Sequence, residues 1–242
     1  VKAFFAECEQ YCLNGVACPF FMSWSLSNPS QFLTPEALHH WIREFFDHDM
    51  KWCLNAVGED ELDFRFSILQ SITSYCHFKD GVSKLKQVTG RAQCDMPWYI
   101  VALIANAIPP TFIKAICALA DFRYISQAPV LDDNNIAKIS DALEFHDNKA
   151  IIISSGAHCG AESKQPLKHW QILKLELMQS VAPSVSQAGL PLQWSADTTK
   201  HAHVTVIKDP VESMNNTSSD PQICRYLDHA EKCHLFEIAV SI

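Results

Sequence analysis

Residues 34–58 constrain the fold more than any other stretch. Thr34 suits a helix N-cap and Pro35 the first helical position. Leu38, Trp41, Ile42, Phe45, Phe46, Cys53, Leu54 and Val57 then recur at helical spacing and form a broad apolar stripe. Gly58 can end the element. A stripe this wide and this aromatic is stable in water only when other elements cover it, so the chain has to supply several more helices or a sheet.

The remaining patterning points to helices. The first 20 residues run at near-helical spacing up to Gly15, a candidate C-terminal cap. Residues 59–66 read as a turn and a short helix, and Val82, Leu85 and Val88 predict two helical turns within 81–90. Residues 98–107 are apolar nearly all round and predict a buried helix that Pro109-Pro110 breaks. A second apolar helix follows over 111–122, with Ile113, Ile116, Cys117 and Ala120 as its face. A more polar helix is expected over 133–148, and others over 170–181 and 222–239. Residues 150–154 read as a strand or as the end of the preceding helix, and 202–207 as a strand. Residues 154–166 and 209–221 read as loops. The expected fold is mainly α, a helical domain with at most a few short strands. It forms a single region over 1–242, with the 154–166 loop as the place for a sub-boundary.

Hydrophobic residues make up 48% and charged residues 19% of the 242, an ordinary globular balance. The formal charge of −8 counts against a nucleic-acid surface spread over the whole chain and leaves room for a local basic patch. No run of 18 apolar residues is present, so no membrane partner is expected. The early apolar runs are broken by Glu7, Glu9 and Gln10, which argues against a secretion signal. Ten cysteines over this length are too sparse for a disulfide scaffold. Cys8, Cys12 and Cys18 lack the second close pair that structural zinc prefers, so buried reduced thiols and an intracellular location are the reading. With no initiator Met, the chain reads as a segment of a larger protein.

Several side chains could carry chemistry. Glu36, His39 and His40 share one helical face and are a candidate catalytic acid with two candidate metal ligands. An acid in the first helical turn also simply favours the macrodipole. Asp47, His48 and Asp49 point in different directions and read as solvated charge. Glu59, Asp60, Glu61 and Asp63 crowd four acids together, with a solvated loop as the plain reading. Lys79, Lys84, Lys86 and Arg91 are the best local candidates for phosphate contact, beside the reading of ordinary surface cations. His201 and His203 fall on one face if extended, and a His-x-His pair can bind zinc or copper.

The blocks FLTPEALHHW (32–41), LDFRFSILQ (62–70), VSKLKQVTGR (82–91), ADFRY with QAP (120–124, 127–129), KLELMQSV (174–181), QWSAD (193–197) and QICRYLD (222–228) run in one order along the chain. Together they resemble the C-terminal portion of Plavaka-type fungal transposon proteins, of the Kyakuja-Dileera-Zisupton group. The resemblance implies a protein of a mobile DNA element, acting in the nucleus on transposon DNA, with self-association open. A complete enzyme of this kind is expected to use an acidic triad holding divalent metal, Mg²⁺ or Mn²⁺, to activate water or a 3′ hydroxyl. At least one triad acid and a Cys/His motif are expected upstream of residue 1. Glu36 matches an acidic-x-Leu-His pattern, while Lys200 stands where relatives usually carry Glu. Residues 142–146 are one residue short of the family pattern, which rotates a helix by about 100°. The expected function of this chain is a non-catalytic assembly or DNA-contacting region of a transposase-like protein. The alternative is that it contributes acids to a metal-dependent cleavage site completed by upstream sequence.

Overall fold

The computed structural model describes residues 2–10, 15–16, 18–26, 28–85, 88–144, 146–160, 164–215, 217 and 219–241. Among them the fold is mainly α, and the only extended pairing is an isolated bridge between Cys159 and Pro166. No helix among the described residues is long and apolar enough to cross a membrane.

The chain divides into two compact units, Val1–Thr34 and Pro35–Ile242. The loop at 154–166 lies inside the second. The first unit holds α1 (Lys2–Gln10), a series of turns and the single-turn α2 (Pro29–Phe32). Gly15 adopts φ +71°, the left-handed conformation expected of a helix-terminating glycine. Phe20 and Trp24 make an edge contact on its surface.

The second unit is built around α3, an unbroken rod over residues 38–57. It comprises a π turn over Leu38–Ile42, another over Phe45–Asp49 and an α-helix over Met50–Val57. Gly58 ends it at φ +101°. The Thr34 cap is not used, because residues 33–36 are not helical and the first turn is capped from Glu36 instead. Next come α4 (Glu59–Ser67), α5 (Gly90–Ile104), α6 (Pro110–Ser126), α7 (Asp133–Ala142) and α8 (His146–Ser154). The shortened stretch at 142–146 is where α7 ends and α8 begins, so a single helix over 133–148 does not form. Residues 150–154 belong to α8 rather than to a strand. The chain continues through α9 (Leu173–Met178), α10 (Val181–Ala188), a 3₁₀ turn (Pro191–Trp194) and α11. The last is a rod over 197–212 with a π turn at Val204–Lys208. α12 (Ser219–Ser241) closes the described chain and buries no side chain.

The strand expected at 202–207 is therefore helical. Its β-branched residues favour a strand locally, but a strand needs a ladder partner and none is present among the described residues.

α6 is central, packing against α5, α7 and α8. The α3 stripe is covered as the sequence requires: Trp41, Ile42 and Phe45 are all but fully buried, and Trp41 meets Phe122 of α6 edge-to-face at 5.9 Å. Each such side chain contributes about 1.5–3 kcal/mol through burial. Trp98, expected inside, is 58% exposed, because α5 begins eight residues earlier than the apolar run and turns Met96, Ile100, Leu103 and Ile104 inward.

Residues 81–85 form turns rather than a helix, because Asp63 organises them. Its carboxylate accepts the N–H groups of Val82 (2.7 Å) and Ser83 (2.8 Å) and the Ser83 hydroxyl. Gly81, at φ +80°, lies so close that an added Cβ would overlap the Asp63 side chain, whereas a Cβ on Gly58 meets nothing. Both Gly→Ala changes force a positive φ, but only Gly81→Ala also breaks this turn. Gly81→Ala is expected to destabilise by about 2–4 kcal/mol and Gly58→Ala by about 1–2 kcal/mol, read from urea unfolding midpoints.

Candidate functional site

The site starts from Glu36, which precedes the first turn of α3. Its Oε2 accepts N–H groups from Leu38 (2.9 Å) and Ala196 (2.9 Å), and its Oε1 accepts the His39 N–H (2.6 Å) and the His39 Nδ1 hydrogen bond (2.5 Å). Leu38 and His39 open α3, and Ala196 opens α11. One carboxylate thus serves the unsatisfied amides at two helix N-termini, where the macrodipoles also favour negative charge. Burial pushes the Glu36 carboxyl up, but the Ala196, His39 and Leu38 amides and the His39 ring more than offset it and hold it below its ordinary value.

This tie creates a cleft of about 450 Å³ between the start of α3 and α11, lined by His39, Arg43, Asp197, Lys200 and His201 among others. Fold geometry brings together what the sequence keeps some 160 residues apart, including one member of each His pair. His203 does not line the cleft and is exposed. Because 197–203 is helical, His201 and His203 diverge, and the shared face expected of an extended His-x-His does not form. The His40 Nδ1 accepts the Glu36 N–H (3.1 Å), and burial lowers the pKa of the ring. Among the described residues, no group of three or more His, Cys, Asp or Glu side chains is placed to hold a metal ion.

The basic candidates separate. The Arg91 guanidinium donates to Asp95 (3.3 Å) and to the Ser74 carbonyl, so it pins the 74–76 loop, whose Cys76 N–H also reaches Asp95 (2.8 Å). Lys79 and Lys84 are exposed on turns. Lys86, like Cys12 of the cysteine series, lies outside the described residues. Arg43 donates to Asp47 (3.0 Å), which also accepts from Lys174 (2.8 Å). Glu59 meets Lys164 at 3.6 Å and Glu61 meets Arg65 at 2.7 Å.

Sequence reasoning missed a buried acidic pair. Asp49 is wholly buried and Glu44 nearly so, on the inner face of α3, not in solvent. No donor from the rest of the protein reaches either oxygen of Asp49 or Oε1 of Glu44, and the two carboxyls hydrogen-bond each other through a retained proton. A signal was available: Asp49 falls four residues after Phe45 and four before Cys53, within the apolar stripe. The π turn at Phe45–Asp49 stacks residues five apart, which sets Asp49 over Glu44. Burial is the main cause that pushes Glu44 up to about 8, and burial with the Glu44 charge pushes Asp49 well above the carboxylate range. Arg123 of α6 lies nearby, itself buried, with its Nη1 donating to the Gln93 carbonyl (3.0 Å) and its guanidinium 5.7 Å from the Phe45 ring.

A family model described as Plavaka transposase matches residues 1–53. The chain is similar to Plavaka transposases there. That span covers 53 of 242 residues and includes the block with Glu36, His39 and His40, while the other resembling blocks lie beyond it. It supports a transposase-like protein of Plavaka type. No curated protein and no solved structure matches the chain.

Two outcomes follow from these carboxylates. Glu36→Gln removes the charge and half of the acceptors, so it should cost about 1–3 kcal/mol and speed hydrogen exchange at the Ala196 amide. Unchanged protection of that amide would contradict the tie. Glu44 has a folded pKa raised from 4.5 to about 8, so the folded state holds its proton more tightly. Its contribution to stability is complete below pH 4.5 and is lost as pH rises through 8, at up to about 1.4 kcal/mol per pH unit. Glu44→Gln should flatten that alkaline slope in unfolding midpoints measured from pH 5 to 9.

Proposed function

We propose that this chain is a non-catalytic, DNA-contacting helical region of a Plavaka-type transposase. The observation that carries this reading is the use of Glu36. The one acid matched to a catalytic pattern has each oxygen engaged by two donors that hold α3 to α11, and a metal there would have to displace them. Two further acids are similarly engaged, and Asp197 and the buried Glu44–Asp49 pair do not join them in any group of three or more ligating side chains among the described residues. Asp47 is held by Arg43 and Lys174, and Asp63 caps the 82–83 turn. These residues do not fit a hard-cation cage, which needs oxygens free of donors. In this reading Mg²⁺ or Mn²⁺ of a complete transposase is held by other parts of the protein.

Lys200 fits the same reading. An ammonium in place of a carboxylate removes a metal ligand and adds a phosphate contact, beside His39, Arg43 and His201 in one cleft. The sequence supplies a second cationic stretch in Lys84, which is exposed, and Lys86 two residues on. A protein that handles chromosomal DNA in this way works in the nucleus.

The test is duplex binding by fluorescence anisotropy across a salt series. Lys200→Glu, and separately Lys84→Glu with Lys86→Glu, should each weaken binding about tenfold and lower the slope of log K against log salt by roughly 1–2. Salt-independent binding, or DNA cleavage by this chain with Mg²⁺ that is lost in Glu36→Gln, would overturn the reading.

A further inference from the structure

A second cleft, of about 430 Å³, opens on the opposite run of α3, between Met50–Val57 and the segments at 156–160 and 164–172. These two segments are held by local hydrogen bonds. Asn55 donates to the Ala157 carbonyl (2.8 Å), the Leu167 N–H donates to the His158 carbonyl (2.7 Å), and the Gly160 N–H donates to the Gln165 carbonyl (3.0 Å). Trp52 lines the cleft and stacks at 5.0 Å on Trp170 behind it.

His158 lines this cleft and is 6% exposed. Its ring hydrogen-bonds the backbone of His169, yet its Nε2 is buried without a partner. A buried imidazole nitrogen left unpaired is costly, so it marks a position where a ligand group would be held. Burial lowers the pKa of His158, and it lowers that of His48, on the same cleft, to about 4, so both rings are neutral near pH 7. A neutral imidazole offers one acceptor or one donor in the plane of a heteroaromatic edge.

The rest of the lining narrows the ligand class. Its surface is more apolar than polar, through Leu54, Leu167 and Ile172 as well as Trp52. A phosphate needs N–H donors on every side and gains nothing from such walls, whereas a flat ring with polar edges matches them. Lys51 and Lys164 stand among the lining residues and are exposed; of the two acids that also line the cleft, Asp47 is paired with Arg43 and Lys174 and Glu59 with Lys164 (3.6 Å), so Lys51 is the cation that a phosphate attached to that ring would meet first.

We propose that this cleft receives one nucleobase from an unpaired stretch of DNA, with its edge against His158 and its backbone phosphate beside Lys51 and Lys164. The proposal rests on the DNA-contacting reading and names the feature of DNA that the chain selects. Enzymes that act on bases pay for extrusion least where the base is already unpaired, and aromatic contact with such a base is tolerant of sequence.

The experiment compares three oligonucleotides that differ at one position: fully paired, carrying an unpaired 2-aminopurine, and carrying an abasic site. The unpaired base should bind about tenfold more tightly than the other two, with a change in 2-aminopurine fluorescence on binding. Leu167→Trp fills the cleft from a half-buried position, and His158→Phe keeps the ring size without the nitrogen. Each should remove the preference while circular dichroism and the thermal midpoint report a folded chain. Equal affinity for unpaired and abasic DNA, or no effect of Leu167→Trp where Lys200→Glu still weakens duplex binding, would overturn this inference and leave the DNA-contacting reading standing. Absence of binding to any of the three would overturn both. Adenosine monophosphate that competes at the same concentration as the oligonucleotide would make a free nucleotide the ligand and overturn the DNA-base assignment.

Discussion

The Glu36 carboxylate is the contact on which the arrangement of the larger unit turns. No side chain of residues 197–208 is buried, so the start of α11 has almost no apolar area with which to hold itself to α3. Hydrophobic burial, the usual force between helices, is nearly absent at this junction. What replaces it is one charged acceptor shared between two sets of unsatisfied amides, a charge-assisted bond stronger than its neutral counterpart. An amide side chain could supply only one of the two oxygens. The charge is therefore spent on architecture, and the cleft beside it, with Lys200 and Arg43, exists because of that junction.

The same rod carries a less comfortable arrangement about two turns further on. Two carboxyl groups, Glu44 and Asp49, are buried with three of their four oxygens reached by no donor other than each other. Leaving both ionised there would cost far more than the fold can spare, so the pair keeps its protons to higher pH. The π turn that stacks Glu44 and Asp49 also fixes which face Phe45 presents to Arg123. Wide turns of this kind are rare and gather at functional sites, and the three among the described residues lie in the two rods that meet at Glu36.

How much of this the sequence discloses depends on the range of the interaction. The α3 stripe, its end at Gly58 and the helices after Pro109 are legible because periodicity and Gly/Pro punctuation act over a few residues. The turn at 81–85 is not, because Val82, Leu85 and Val88 do show helical spacing, and only contact with Asp63, some 19 residues away, overrides it. The helical state of 202–207 is hidden for a similar reason: β-branched residues favour a strand, yet no neighbouring strand exists to pair with among the described residues. Trp98 misled because an apolar run was taken to be buried all round, whereas a helix that starts at Gly90 can bury only part of it. In the site, Glu36, His39 and His40 were legible as a face. The Ala196 amide that gives Glu36 its role was not, because backbone donors carry no sequence signature.

The distribution of charge completes the argument about DNA. A formal charge of −8 is unpromising for a polyanion, but it treats every acid as ionised and exposed. Burial shifts Glu44 and Asp49 toward their neutral forms, so the formal count overstates the negative charge. Glu36, Asp47 and Asp63 keep their charge, but each faces amides, hydroxyls or cations that absorb its field locally. The potential that a phosphate meets at the cleft is set by what lies within about a Debye length, roughly 8–10 Å, not by the sum over the chain. At the cleft Lys200 stands with two histidines and Arg43 against Asp197, with the Glu36 and Asp47 charges beside them each held by its own donors. Binding from such a surface is local and steeply dependent on salt.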